Sequence, residues 1–425
     1  MTTNEVDQVR YRRALEALRN GVPNRDAVRV LGCGQVEAVR RFEEQLLTVP
    51  AQLVEGRQAA GTLISGGFGT GKSHLLEYLQ HRALSANFVC SRVVISKETP
   101  LHDQAKVFRA AVENAVLPDR RGEAVKEISL KLHRSENRFQ DFERWVMHDD
   151  SGVSQLFPAS LALFLQLGND PDLAEAVTNF WSGETLPIAD VRRGLRQCGL
   201  SAAYSVKAVP ARQLPHERFT FLSRMIQGAG YAGWVLLIDE VELIGRYSLL
   251  QRGKSYAELA RWLGGVEGIS YPGLTAVAAI TDDFDISVLA EKGDLDYVGA
   301  RLRDKGTEEM ALLASRAEAG MRLIQRQAVP LEPPTEAGLR ETYQHVREVH
   351  AGAYGWEPPD VEGGGGAIRR AMRSYVRRWI NEWDLKRLYP DAEVHTIEEL
   401  LAPSYSEDQD LEVGMEEADR SPEVS

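Results

Sequence analysis

The sequence predicts an α/β protein whose core is a parallel sheet flanked by helices. From Gly61 onward, short apolar runs alternate with longer segments of helical periodicity, as in parallel strands joined by crossover helices. Hydrophobic residues form 43% and charged residues 26% of the chain, the mix of an ordinary globular protein. At 425 residues the chain exceeds the roughly 250 to 300 residues that one core holds. We therefore expect an accessory unit beside the sheet.

The predicted strands are separated unevenly. They are 62–64, 88–95, 234–238, 274–280 and 327–331. The gap between the second and third is far longer than one crossover helix needs, so a helical insertion is predicted at about 118–215. The chain then divides into an N-terminal helical segment (1–55), the sheet core (56–332), a C-terminal helical lid (333–402) and an acidic tail (403–425).

Negative charge is concentrated in the tail. The net charge of the chain is −12, and residues 401–425 hold eight acidic side chains against Arg420 alone. Few large apolar side chains lie there, so residues 403–425 are predicted to be disordered. The rest of the chain is close to charge balance, which neither demands nor forbids a basic surface for nucleic acid.

Cysteine spacing and hydropathy favour a cytoplasmic protein. Cys33, Cys90 and Cys198 are far apart, so neither a disulfide framework nor a zinc site is predicted. The N-terminus lacks the apolar core of a signal peptide, and the apolar stretch 156–167 is shorter than the roughly 20 residues that cross a bilayer. No membrane role is predicted.

A phosphate-binding loop follows the first strand. The motif G-x-x-x-x-G-K-[ST] lies between this strand and a helical segment, where backbone N–H groups and the helix N-terminus can surround phosphate oxygens. Lys72 is predicted to reach the β- and γ-phosphates of ATP, and the Ser73 hydroxyl to bind Mg²⁺. The alternative is a glycine-rich turn with a chance lysine and serine. The predicted ATP-binding residues are Gly66, Gly67, Phe68, Gly69, Thr70, Gly71, Lys72, Ser73 and His74.

Two later strands end in polar residues. The run 234–238 is apolar and is followed by Asp239 and Glu240, which places two carboxylates where parallel sheets bind ligands. Asp239 is predicted to hold Mg²⁺, directly or through water, and Glu240 to orient or deprotonate the attacking water. Thr281 follows the next strand and is predicted to contact that water. For both strand ends the alternative is a strand that simply meets solvent.

This order of motifs resembles the AAA+ ATPases. In that class the lid contributes an arginine near the γ-phosphate, and Gly366-Ala367-Ile368-Arg369 is similar to the pattern of the origin-recognition branch, which implies this role for Arg369. The rival interpretation is a solvated basic helix. The resemblance also implies an arginine finger and a homo-oligomer, and the candidates for the finger are Arg301, Arg303 and Arg322.

A closer resemblance is to BrxD, the ATP-binding protein of certain bacteriophage exclusion (BREX) systems. It is carried by residues 16–28, 66–73 and 230–242, and residues 19–24, Arg-Asn-Gly-Val-Pro-Asn, are its distinctive part. The resemblance spans residues 9–388. It implies a bacterial antiviral role beside a methyltransferase, a phosphatase-like protein and other BREX partners.

Double-stranded DNA is a further predicted partner. Arg369, Arg373 and Arg377 recur every four residues and share one helical face that could displace counterions from phosphates. The same face could be solvated or paired with the acidic tail. Trp379 and Trp383 are predicted to pack the lid rather than stack on bases.

Three functions stay open at this point. The first is an AAA+ ATPase whose cycle moves the lid and drives a defence complex on DNA. The second is a regulatory switch or scaffold with little hydrolysis and no direct DNA binding. The third, a small-molecule kinase, fits the acidic pair and the lid arginine less well, because these groups suit water as the acceptor.

Overall fold

The computed structural model describes residues 3–21, 24–167, 170–264, 270–361, 372–390 and 405–408. The strands are β1 Thr62–Ser65, β2 Val89–Val94, β3 Ala115–Val116, β4 Trp234–Asp239, β5 Leu274–Ile280 and β6 Val329–Pro330. The helices are α1 Thr3–Asn20, α2 Arg25–Leu31, α3 Val36–Val54, α4 Lys72–Ser85, α5 Gln104–Glu113, α6 Ala124–Ser129, α7 Asn137–Val146, α8 Leu156–Leu167, α9 Pro171–Ser182, α10 Ile188–Gln197, α11 Leu214–Gly228, α12 Leu249–Trp262, α13 Asp294–Arg303, α14 Glu308–Gln327, α15 Glu336–Tyr354 and α16 Met372–Leu388.

The strands form one sheet in the order β3-β2-β4-β5-β1-β6. Every pairing is parallel except that of the edge strand β3 with β2. The predicted α/β class, an AAA+-type parallel core flanked by helices, is confirmed. Strand β3 was not predicted, because two residues carry no periodicity. Strand β5 lies between β1 and β4, so the ends of these three strands meet at one edge of the sheet.

Side chains alternate between the two faces of the sheet. Ile64, Leu237 and Ala279 pack with α3 and α4 on one face. Leu63 and Leu236 point to the other face, into the larger core that includes α5, α11, α12 and the helices of the insertion. Because both faces are covered, strands β4 and β5 are buried along their whole length, which explains their continuous apolar sequence.

Helices α6 to α10 lie between β3 and α11 and pack on the larger core. The apolar run 156–167 forms α8, whose Phe157 lies 5.2 Å from Phe180 and 5.0 Å from Phe221, measured between ring centroids. The run is therefore core, as predicted. In the part of the chain that the structure describes, no helix has the length and apolarity needed to cross a membrane.

The first and last helices of the described chain share a separate hydrophobic core. Leu15 of α1, Val349 of α15 and Trp383 of α16 belong to this core, together with residues of α2. We call α1, α2, α15 and α16 the lid, and the described residues of 36–331 the body. Trp379 is 4% and Trp383 0% exposed, so both tryptophans pack the lid. Sequence periodicity treated the N-terminal segment and the lid as separate parts, whereas α1 and α2 belong with the lid and α3 with the body.

The chain crosses between body and lid at two adjacent points. Gln35 precedes α3 and Glu332 follows β6. The Gln35 side chain donates to the Glu332 carbonyl oxygen (3.0 Å) and accepts from the Glu332 N–H (2.8 Å). The two crossings are thus fastened to each other.

Part of the predicted disordered tail has a defined position. Residues 405–408 lie against the body, where they make hydrogen bonds and ion pairs. For these four residues the structure differs from the prediction, because their polar groups find fixed partners that composition cannot reveal. The remaining tail lies outside the described residues.

Candidate functional site

The loop between β1 and α4 has the backbone of an anion cradle. Gly69 (φ 74°) and Gly71 (φ 107°) adopt left-handed conformations that a side chain disfavours. The Gly66 N–H donates to the carbonyl oxygen of Ile280 (3.1 Å), which ties the loop to the end of β5. Helix α4 then begins at Lys72 with no acidic side chain in its first turn, so its positive end is free to face an anion.

Lys72 is buried and folded back onto this loop. Its ammonium donates to the carbonyl oxygens of Gly66 (2.7 Å) and Gly67 (3.3 Å) and lies 3.8 Å from Oε1 of Glu242. It also lies 5.3 Å from the ring centroid of Phe68, whose side chain is 53% exposed. The lysine is therefore held beside the cradle by groups that a phosphate can replace.

The cradle and the acidic strand end converge, although 166 residues separate them. Ser73 Oγ donates to Asp239 Oδ2 at 2.9 Å. Two adjacent ligands of an octahedral Mg²⁺ with metal–oxygen distances of about 2.1 Å lie about 2.9 Å apart, so these two oxygens fit that ion. Arg92 of β2 donates to the same Asp239 oxygen at 2.6 Å. Within the described residues there is no group of three or more His, Cys, Asp or Glu side chains that could hold a metal ion.

Glu240 has a strained backbone and an altered acidity. It adopts φ 61° and ψ 34°, a left-handed conformation that is uncommon outside glycine and often occurs at functional sites. Burial and the neighbouring Asp239 raise the pKa of Glu240, while Lys72, Arg92 and Arg373 oppose the rise. A carboxylate with a raised pKa is a better proton acceptor at neutral pH.

Glu242, two residues further, is the counter-ion nearest to Lys72. Burial raises its pKa to about 7, against the effect of the Lys72 charge. No donor among the described residues reaches its Oε2 atom. Its protonation state therefore changes close to neutral pH, next to the lysine of the cradle.

Thr281 follows β5, between the cradle strand and the acidic strand. Its side chain is buried, and its hydroxyl lies 2.7 Å from the hydroxyl of Tyr405. The next residue, Asp282, faces Gly67: a Cβ atom built on Gly67 would lie 3.5 Å from Asp282 Oδ2. The end of β5 thus borders the cradle, and contact of Thr281 with an attacking water stays a prediction.

Arg369, the predicted lid arginine, lies outside the described residues. The lid arginine that reaches the site is Arg373, at the start of α16. Its backbone N–H, not its guanidinium, donates to the Gly69 carbonyl oxygen (3.3 Å), and its side-chain charge is among those that lower the pKa of Glu240. Its guanidinium also donates to the Asn20 carbonyl oxygen (3.3 Å). The lid therefore touches the cradle through a residue that spacing alone assigned to a DNA-binding face.

The rest of that arginine face is partly used inside the protein. Arg377 donates to the Arg19 carbonyl oxygen (3.1 Å), and Arg378 pairs with Glu382 (2.7 Å). The first contact joins α16 to α1, and the second joins two residues of α16. They leave fewer free donors for phosphates than a solvated face would have.

Residues 19–21 and Asn24, the described part of the segment 19–24, make contacts within the lid. Arg19 pairs with Asp384 (2.7 Å), Gly21 has φ 67° and lies under the Arg373 guanidinium, and Asn24 caps α2 by accepting from the Ala27 N–H (2.9 Å). A side chain at Gly21 would both strain the backbone and collide with Arg373. Within the described part of this segment, Asn20 and Gly21 therefore hold the Arg373 side chain in position.

Of the remaining predicted residues, Thr70 and His74 lie at the cradle and the three candidates for the arginine finger lie away from it. Thr70 donates to the Gly67 carbonyl oxygen (2.8 Å), and His74 donates to the Gly32 carbonyl oxygen (2.8 Å) with a pKa lowered by burial. Arg303 pairs with Glu318, and Arg301 and Arg322 are exposed, so none of the three finger candidates meets the cradle within the described chain. Each stays a prediction for contact with another subunit.

Sequence reasoning missed Arg92, Glu242 and Tyr405, and it did not place Arg373 in the site. A signal existed for Arg92, because a charged residue within the apolar run of β2 requires a buried partner. Glu242 also follows the acidic pair at short range. Nothing in the local sequence marks Tyr405, which meets the site only through tertiary contact.

The chain matches a known protein family over most of its length. The model of the family described as BREX system ATP-binding protein BrxC/D matches residues 6–188 and 215–384. Searches of curated proteins and of solved structures give no significant match. The matched residues include the cradle, the acidic strand end, Thr281 and the lid helices.

Proposed function

The chain belongs to the family of BREX system ATP-binding proteins BrxC/D, and from this premise we propose that it hydrolyses Mg-ATP between body and lid. Membership supports ATP binding and a role in BREX phage defence. The observation that carries hydrolysis is the meeting of Ser73 and Asp239 at 2.9 Å beside a buried lysine, with Glu240 next in the chain. This proximity supports a metal-binding role for Ser73 and Asp239 and a proton-accepting role for Glu240 beside one phosphate cradle.

Each residue of the site has a separate proposed role. The loop 66–71 and Lys72 bind the phosphates, and Ser73 and Asp239 hold Mg²⁺, which neutralises charge on the phosphate oxygens when bound. Glu240 accepts a proton from the attacking water or orients it. Thr281 contacts this water from β5. Arg373 is our candidate, beside the predicted Arg369, for the lid arginine that stabilises charge at the γ-phosphate.

Coupling to the defence complex follows from the attachment of the lid. Arg373 and Gly69 connect lid and cradle, so a change at the phosphates alters the lid position. We propose that this movement drives or gates other BREX proteins, with double-stranded DNA and a second copy of the chain as further partners. Assignment to the origin-recognition branch of the AAA+ proteins stays a prediction.

A second candidate is an ATP-dependent switch with little turnover. The specific observation in its favour is the Arg92 ion pair with Asp239 at 2.6 Å, because it occupies the oxygen that Mg²⁺ requires. If this pair persists with ATP bound, the metal stays poorly held and hydrolysis is slow. A Glu240→Gln variant that retains full phage defence would favour the switch.

The deciding experiment compares phosphate release by the wild type, Lys72→Ala and Glu240→Gln, with and without duplex DNA. We expect Lys72→Ala to lose ATP binding, and Glu240→Gln to bind ATP while turnover falls by about 100-fold or more. The exposed Lys305→Ala serves as the matched control and should behave as wild type. Equal phosphate release by all four proteins would disprove the catalytic assignment. Stimulation by DNA that weakens with salt would support the DNA partner.

A further inference from the structure

Residues 405–408 occupy a groove of the body beside Thr281, at the end of β5. The Tyr405 ring lies edge-on to Phe284 with centroids 6.0 Å apart. It also covers Gly245 so closely that a Cβ atom there would lie 2.9 Å from the ring. Lys292 donates to the carbonyl oxygens of both Gly245 (2.8 Å) and Tyr405 (3.0 Å). The groove therefore holds the tyrosine by its ring and its backbone.

Two acidic side chains follow the tyrosine, and each meets an arginine. Glu407 accepts from Arg252 Nη1 at 2.8 Å, and this bond holds the pKa of Glu407 below its ordinary value. Asp408 accepts from Arg246 Nη2 at 2.6 Å, and its N–H donates to the Arg246 carbonyl oxygen at 3.1 Å. The segment Tyr-Ser-Glu-Asp thus matches the groove in shape, in charge and in backbone hydrogen bonding.

Arg252, which binds Glu407, is itself held in place by buried residues of the body. Arg252 is buried and makes a bidentate pair with the fully buried Asp294, to which Tyr256 also donates (2.6 Å). One remaining guanidinium nitrogen serves the Tyr247 carbonyl oxygen and Glu407. Because Asp294 holds the guanidinium in place, its free donor is preorganised for an acidic residue that arrives from outside.

The tyrosine hydroxyl determines what Thr281 can do. Tyr405 has one hydroxyl proton, and it donates this proton to Asp283 Oδ1 at 2.9 Å. The 2.7 Å contact with Thr281 is then made by the Thr281 proton, which is donated to the Tyr405 oxygen. With the segment in place, Thr281 has no proton left to donate to a phosphate oxygen or to an attacking water.

We propose that this groove is a docking site for the chain's own segment Tyr405–Asp408, and that docking restrains Thr281 and slows ATP turnover. The ligand class is an extended peptide with a tyrosine followed, after one residue, by two acidic residues. The docking site stands on the contacts above, whereas the effect on turnover rests on the proposed function. Release of the segment frees the Thr281 hydroxyl and accelerates hydrolysis.

The docking site is tested by peptide binding, without reference to activity. The receptor is the full-length chain with Tyr405→Ala, Glu407→Gln and Asp408→Asn, which vacates the groove. The probe is a fluorescent peptide of residues 402–412, followed by anisotropy. We expect saturable binding that weakens with salt, weaker binding by the wild type, and at least tenfold loss when Arg246→Gln is added to the receptor. Equal binding with and without Arg246→Gln, or none by the vacated chain, would overturn the docking site.

The effect on turnover is tested with Tyr405→Phe, which keeps the ring and removes the hydroxyl. We expect kcat to rise about 2- to 10-fold, the range of one hydrogen bond, with KM for ATP little changed. The exposed Tyr389→Phe is the matched control and should leave kcat unchanged. Unchanged or lower kcat in Tyr405→Phe, while Lys72→Ala abolishes turnover, would overturn the restraint. If the wild type releases no phosphate above Lys72→Ala, the proposed function fails and the restraint with it, whereas peptide binding still decides the docking site.

Discussion

The body and the lid are built in opposite ways. The body packs both faces of a sheet whose strands and helices alternate along one stretch of chain. The lid core joins Leu15 and Ala27 near the start of the chain to Val349 and Trp383, more than 300 residues away. Local patterns therefore specify the body, whereas the lid exists only when distant segments meet.

The site lies where these two regions touch. The body provides the phosphate cradle, the carboxylates and Thr281. The lid provides Arg373 and the Asn20 carbonyl oxygen, at the end of α1, that accepts a hydrogen bond from the Arg373 guanidinium. Because the reacting groups belong to the body and the lid only positions Arg373 beside them, a small change in the lid should alter turnover without altering the groups that bind phosphate. The following predictions test this division, from the largest expected effect to the smallest.

Trp383→Ala should break the lid while the body stays folded. The side chain is fully buried and donates to the Pro359 carbonyl oxygen (3.0 Å), so truncation should cost the lid about 3 to 5 kcal/mol. We expect a separate early transition in denaturant unfolding and weaker ATP binding. The partly exposed Leu385→Ala on the same helix is the control. One cooperative transition that shifts as a whole would show that body and lid are not separable.

Glu242→Gln should alter how the free energy of unfolding of the body depends on pH. Because burial raises the folded-state pKa of Glu242 from 4.5 to about 7, the folded state binds the proton more tightly. The free energy of unfolding contributed by this group is fully present below pH 4.5 and is lost as pH rises through 7. The glutamine removes this loss, so the variant should gain up to about 3 kcal/mol on the wild type between these pH values. Urea unfolding at pH 5 and pH 8 measures it, and a constant difference would contradict the assignment.

Arg373→Ala should lower kcat about tenfold, equal to roughly 1.4 kcal/mol, with little loss of phosphate binding. The reason is that its charge lies near Glu240, whereas the cradle belongs to the body. Arg377→Ala is the matched control, since it lies on the same face and donates to the adjacent carbonyl oxygen of Arg19. Equal loss in both variants would mean that Arg373 acts only by fastening the lid.

Asp384→Asn should weaken the lid by about 1 kcal/mol. Burial opposes ionisation of Asp384, but hydrogen bonds from His350 and Arg19 hold its pKa below the ordinary value of 3.8. Its stabilising contribution is therefore present above pH 3.8 and is lost as pH falls through the lower folded-state pKa. Thermal unfolding at pH 7 and pH 3 should show a smaller difference between wild type and variant at pH 3 than at pH 7. A difference of the same size at both would point to packing rather than charge.

Sequence alone determined the parts of this protein that are specified by a few neighbouring residues. The cradle at 66–73 requires glycines because its backbone adopts left-handed dihedral angles. The continuous apolar runs of the strands 234–239 and 274–280 predict that both strands are buried. The parallel core also follows from the alternation of strands and helices. These features could be predicted because each is encoded within a few consecutive residues.

Tertiary structure alone decided which distant residues join the site. Arg373 meets Asn20 across 353 positions, and Tyr405 meets Thr281 across 124. The same arginine spacing fitted a DNA-binding face, and the same acidic composition fitted a disordered tail. Periodicity predicts which residues share one face of a helix, but not which segment packs against that face. Many segments that are distant in sequence carry charges that could pair with it, so only the tertiary structure selects the partner.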